Sequence, residues 1–133
     1  AYSILDQRMG REILPKAFWT KMGVVNRSVF LKGALTPLAD KLPNGLERLK
    51  EHSARAAALA EELGISLPEL ALRFSLSNDC ITVVLVGTNK GANLDQAVQA
   101  EKAERLPEAI ITKLENLAID DPNQVDPIRW PKA

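Results

Sequence analysis

Two short polar stretches follow apolar runs in this sequence, and each carries side chains suited to holding a charged ligand. The first is Arg27-Ser28, which closes the run Gly23-Val24-Val25-Asn26. The second is Gly87-Thr88-Asn89-Lys90-Gly91-Ala92-Asn93, which follows residues 81–86 and leads into a helical pattern. Gly87 permits a tight turn, Thr88 and Asn89 offer donors, and Lys90 puts a positive charge near the first free N–H groups of that helix. A plainer reading competes at both places: an ion pair for Arg27, and an ordinary helix cap for residues 88–93. No carboxylate pair and no nucleophile constellation stands out elsewhere. One cysteine, Cys80, and one histidine, His52, leave no zinc-type ligand set and no intrachain disulfide. His52 sits beside a helix face and receives no chemical role.

The elements that must position these residues can be read from periodicity. Ile13, Leu14, Ala17, Phe18 and Met22 recur at helical spacing over residues 11–22 and stop at Gly23, with Pro15 confining the regular part to its C-terminal side. Residues 24–28 read as a short buried strand. Leu46, Leu49, Ser53, Ala56, Ala60 and Leu63 share one face of an amphipathic helix closed by Gly64. Ser66 and Glu69 have capping-box spacing, with Pro68 in the first turn, so a second helix should run to about Ser77. Residues 81–86 are almost all aliphatic and do not alternate, as in a parallel strand covered on both faces. Leu94, Ala97 and Val98 mark the next helix, and Pro107 opens a last one with Ile110, Ile111, Leu114 and Leu117. The tail, 120–133, holds Pro122, Pro127 and Pro131 and should be extended. Met9, Met22, the two tryptophans and Phe74 read as packing residues, and Cys80 as a small core residue.

At 133 residues the chain suits a single domain or part of one. Hydrophobic residues make up 46%, enough for a core, and 17 basic against 17 acidic residues argue against a chain built to grip nucleic acid or an anionic membrane. The longest apolar run is far short of a membrane span. A soluble, cytoplasmic protein is expected, with a small molecule or another protein as partner. Strand, helix, strand, helices, strand, helix is an α/β order, for which a doubly wound sheet and part of a barrel compete. No Gly-x-Gly-x-x-Gly follows a strand, which disfavours a Rossmann unit.

Four segments narrow this further: Tyr2-Ser3-Ile4-Leu5-Asp6-Gln7-Arg8, Arg27-Ser28-Val29-Phe30-Leu31-Lys32-Gly33, Leu70-Ala71-Leu72-Arg73-Phe74 and Val84-Leu85-Val86-Gly87-Thr88. In type and order they resemble the second half of aldo-keto reductases, bacterial members in particular. The resemblance covers nearly the whole chain. It implies a (β/α)8 TIM barrel, of which residues 1–133 are a single partial domain: the end of strand six (1–5), strand seven (24–28), strand eight (81–86), helix eight, an added C-terminal helix (107–118) and the tail. A complete barrel takes ~250 residues.

The resemblance further implies an oxidoreductase using NADP(H), or NAD(H), on a small carbonyl substrate. The family's catalytic Asp, Tyr, Lys and His belong to the barrel's first half, so none maps here and the isolated chain is expected to be inactive. Tyr2 falls at strand six, not at the acid position. For the cofactor the resemblance assigns Arg27, Ser28, Phe30, Gly33 and Leu35 after strand seven, with Ser28 and the backbone of 30–35 at the pyrophosphate. After strand eight it assigns Gly87, Thr88, Asn89, Lys90, Asn93 and Gln96 toward the adenosine end. The alternative is a non-catalytic fragment that self-associates or pairs with the missing N-terminal half, through exposed inner faces of Val24, Val83 and Leu85.

Overall fold

The apolar runs around Val24 and Val83 meet as a parallel pair in the computed structural model, which describes residues 1–131. Strand β1 (Val25–Asn26) lies beside β2 (Val83–Val84), with Val25 opposite Val83 and Asn26 opposite Val84. Both are shorter than expected. Bonds from Thr82 and Val83 N–H to the Val24 carbonyl, and from Leu85 N–H to that of Asn26, extend the contact by a residue on either side. A side chain that points away from the helices has no layer above it, so Val25, Val83 and Leu85 stand 59%, 44% and 54% exposed. Residues 81–86 are therefore covered on one face only. The open face carries Val25 where Val24 was expected, because the register turns Val24 partly into the core.

Residues 1–5 form no ladder with β1. The Asn26 side chain takes the ladder's place: its Oδ1 accepts from Tyr2 N–H at 2.8 Å, and its Nδ2 donates to the Tyr2 carbonyl at 2.8 Å and to Ser75 Oγ at 2.7 Å. All three partners are buried, so the amide is fully engaged. Tyr2 then stacks on Phe74 at 5.5 Å, and burial raises the pKa of its phenol.

Helix α1 (Arg8–Trp19) begins earlier than its periodicity implied and runs through Pro15. It ends at Trp19, and just beyond it Lys21 takes the left-handed conformation (φ 55°) while Lys21 N–H and Met22 N–H bond back to the Phe18 and Ala17 carbonyls. Helix α2 (Glu47–Glu62) buries Leu49, Ser53, Ala56 and Ala60, and Gly64 (φ 67°) closes it as expected. Ser66 caps α3 (Leu67–Leu76), accepting from Glu69 N–H at 3.2 Å. Helix α3 packs on α2, β2 and α4 (Gly91–Lys102). Leu94 and Val98 of α4 remain exposed.

The turn that follows helix α5 (Glu108–Glu115) is held to α2 by His52, whose Nδ1 lies 2.9 Å from the Leu117 carbonyl. The tail departs from the extended reading: α6 (Pro122–Val125) forms, capped by Asp121, and buries Val125, while Trp130 is buried beyond it. Prolines at the first helical position suit such a turn. Lys132 and Ala133 lie outside the described residues. The packing reading holds for Phe74 and Trp130, whereas Met9, Met22 and Trp19 are exposed, Trp19 to 81%. No helix among the described residues is long and apolar enough to cross a membrane.

Candidate functional site

Beyond β1 the chain makes an unusual turn. Ser28, Leu31, Lys32 and Gly33 all have positive φ, at 62°, 44°, 51° and 95°. For residues with a Cβ this costs roughly 1–2 kcal/mol each, and such strain persists only where surrounding structure imposes it. Val29, Leu31 and Leu35 supply that constraint, buried on either side of the turn. Leu31 N–H bonds to the Ser28 carbonyl, and the Phe30 carbonyl receives both Gly33 and Leu35 N–H. The Val29 and Phe30 amides meet no acceptor among the described residues. Successive free N–H groups of this kind form anion-binding concavities.

Two cavities flank this turn and share Phe30, Thr36, Leu38 and Gly87 in their walls. The first, about 660 Å³, takes in Arg27, Ser28, Phe30 and Gly33, with Asp6 and Arg8 opposite. The second, about 530 Å³, is lined by Thr88, Lys90, Asn93 and Gln96 from the β2–α4 side and by Ser66 and Glu69 from the start of α3. The structure therefore gathers nine of the eleven expected residues around two adjoining spaces. Leu35 is the first exception: its side chain is fully buried in the core and lines neither cavity. Asn89 is the second, exposed and lining neither cavity.

Gly87 is not a tight-turn glycine, since its φ lies outside the left-handed region. A Cβ at Gly87 would meet nothing within 4 Å beyond its two neighbours in the chain, and Gly87 lines both cavities. Thr88 braces the loop ahead of α4. Its Oγ1 accepts from Lys90 N–H and Asn93 Nδ2, both at 3.1 Å, which ties the loop to the first turn of α4, but no side chain among the described residues caps that helix, against the helix-cap reading. Lys90 caps nothing with its side chain and makes no ion pair among the described residues. Arg27 makes none either, against the ion-pair reading.

The sequence reading passed over Asp6, Arg8 and Glu69. Arg8 grips Asp6 through Nε at 2.8 Å and Nη2 at 2.9 Å, which raises the guanidinium's pKa. The first cavity is thus lined by three basic side chains, Arg8, Arg27 and Lys32, and two acidic ones, Asp6 and Asp126. A ligand with phosphates fits this donor set: free backbone N–H groups, unpaired Arg27 and Lys90, and a glycine whose missing Cβ leaves room. No group of three or more metal-ligating side chains occurs among the described residues.

Comparison with known proteins gives this geometry its context. The family model described as "Aldo/keto reductase family" matches residues 1–119. A D-threo-aldose 1-dehydrogenase from Pseudomonas sp is 30% identical over 101 residues, covering 71% of this chain and 31% of the relative. Among solved structures, the apo form of aldo-keto reductase AKR11C1 from Bacillus halodurans superposes with a TM-score of 0.75 at 25% identity, over 96% of this chain and 44% of that one. Its holo form gives 0.73 at 27%, over 96% and 43%. The chain spans less than half the length of these relatives. It belongs to the aldo/keto reductase family, as the C-terminal part of that family's (β/α)8 barrel.

Proposed function

We propose that residues 1–133 form the cofactor-binding portion of an NAD(P)(H)-dependent carbonyl reductase, a single partial domain whose catalytic groups lie in the strands it lacks. The observation that carries this is Gly87: a glycine needed neither for its φ nor for packing, in the wall of both cavities. Ser28 and the amides of the strained turn take the pyrophosphate, and Arg27 faces the nicotinamide side. Lys90, Asn93 and Gln96 take the adenosine end. The bound dinucleotide supplies a hydride to a carbonyl carbon of the substrate, or takes one from the alcohol. This chain's residues bind and orient that cofactor and bring no proton donor of their own. The setting proposed is cytoplasmic, in keeping with one free cysteine.

A second reading rests on Val25, Val83 and Leu85. Their exposure leaves an apolar strand face that an N-terminal half-barrel, or failing that a second copy, would cover. The two readings are compatible, since closing the barrel would also complete the first cavity.

The test is Gly87→Ala in the whole protein. Thermal stability should hold or rise, by about 0.4–1 kcal/mol, while the dissociation constant for NADPH rises about tenfold or more, as a methyl group intrudes on the nucleotide. Unchanged affinity in a folded variant would remove the main support for this site.

A further inference from the structure

We infer that Glu69 sets the balance between the phosphorylated and unphosphorylated forms of the cofactor, an inference that rests on the second cavity being the adenosine site. Glu69 and Lys90 are the charged side chains lining that cavity, and their signs oppose. Glu69 is held in place from two directions. Its N–H bonds to Ser66 Oγ, and its Oε1 accepts from Arg73 Nη1 at 3.3 Å, while Arg73 is itself anchored by the bond from Nη2 to the Glu104 carbonyl. Oε2 has no partner among the described residues. An ionised carboxylate is an acceptor only, so it suits ligand hydroxyls and opposes a phosphate ester. A ribose with free hydroxyls gives Glu69 the donors it can use; a 2'-phosphate gives it a like charge and gives Lys90 a partner. With one residue pulling each way, the cavity should accept both cofactors with similar affinity.

Calorimetric titration of the full chain with AMP and with adenosine 2',5'-bisphosphate measures this without reference to turnover. The unaltered protein should bind the two probes within about tenfold of each other. Glu69→Gln should shift the ratio toward the bisphosphate by about tenfold, the scale of one like-charge contact in a half-exposed site. Glu69→Asp keeps the charge and should hold the ratio near that of the unaltered protein, and Lys90→Ala should move it the opposite way. A ratio unmoved in folded Glu69→Gln would overturn the role of Glu69 while leaving the adenosine site standing. Binding of neither probe to any of these proteins would overturn both.

Discussion

Asn26→Ala should be the most damaging single substitution available near the strands, and its cost can be worked from the hydrogen bonds it removes. The change strips partners from Tyr2 N–H, the Tyr2 carbonyl and Ser75 Oγ, all buried. A buried polar group left unsatisfied costs about 1–3 kcal/mol. The Ser75 hydroxyl can turn to a backbone carbonyl one turn back, so the two Tyr2 groups carry most of the loss. The sum is about 3–5 kcal/mol, against a total stability of about 5–15 kcal/mol for a domain. In urea, with a slope of about 1–3 kcal/mol per molar, the midpoint should fall by roughly 1–5 M. Far-ultraviolet circular dichroism would follow the transition. Arg11→Ala makes a suitable control, because the Arg11–Asp120 pair is exposed and such pairs contribute about 0–1 kcal/mol. A midpoint shift for Asn26→Ala no larger than the control's would refute the role given to this amide as the substitute for a strand ladder.

Gln124→Ala should cost about 1–2 kcal/mol in the same assay, because Gln124 Oε1 caps Leu49 N–H of α2 at 3.1 Å and its Nε2 ties the Gly45 carbonyl at 2.9 Å. A cost near zero would mean that water caps α2 equally well. Sedimentation of the chain at tens of micromolar should show species heavier than 14.6 kDa, driven by Val25, Val83 and Leu85, and a clean monomer would count against the open strand face. Mixed with NADPH and nitrobenzaldehyde, the isolated chain should show no turnover above a heat-killed control, and measurable turnover would place a proton donor within these residues.

Local signals carried the helices well. Gly64 and the Ser66/Glu69 spacing mark helix ends through bonds made within a few residues, and the structure keeps both. What escaped the sequence depended on distant partners or on an unexpected residue in a special conformation. Lys21 takes the left-handed position that Gly23 seemed to offer, so α1 ends earlier. Leu46 cannot cap α2, and the cap arrives from Gln124 in a tail whose prolines suggested extension. Asn26 looked like an ordinary polar end to a strand, although its amide joins three elements. The polar loops of the site were visible because glycine, lysine and arginine cluster after apolar runs. Glu69 was not, since a first-turn carboxylate serves a helix cap whether or not it also faces a cavity.

The central claim, that this chain carries a dinucleotide site built from its two loops, is tested most directly by hydrogen–deuterium exchange of the chain with and without saturating NADPH, read by mass spectrometry. Protection should concentrate in peptides spanning residues 27–36 and 86–96, with α5 unaffected. Protection confined to other segments, or none at concentrations where the cofactor is bound, would contradict the account.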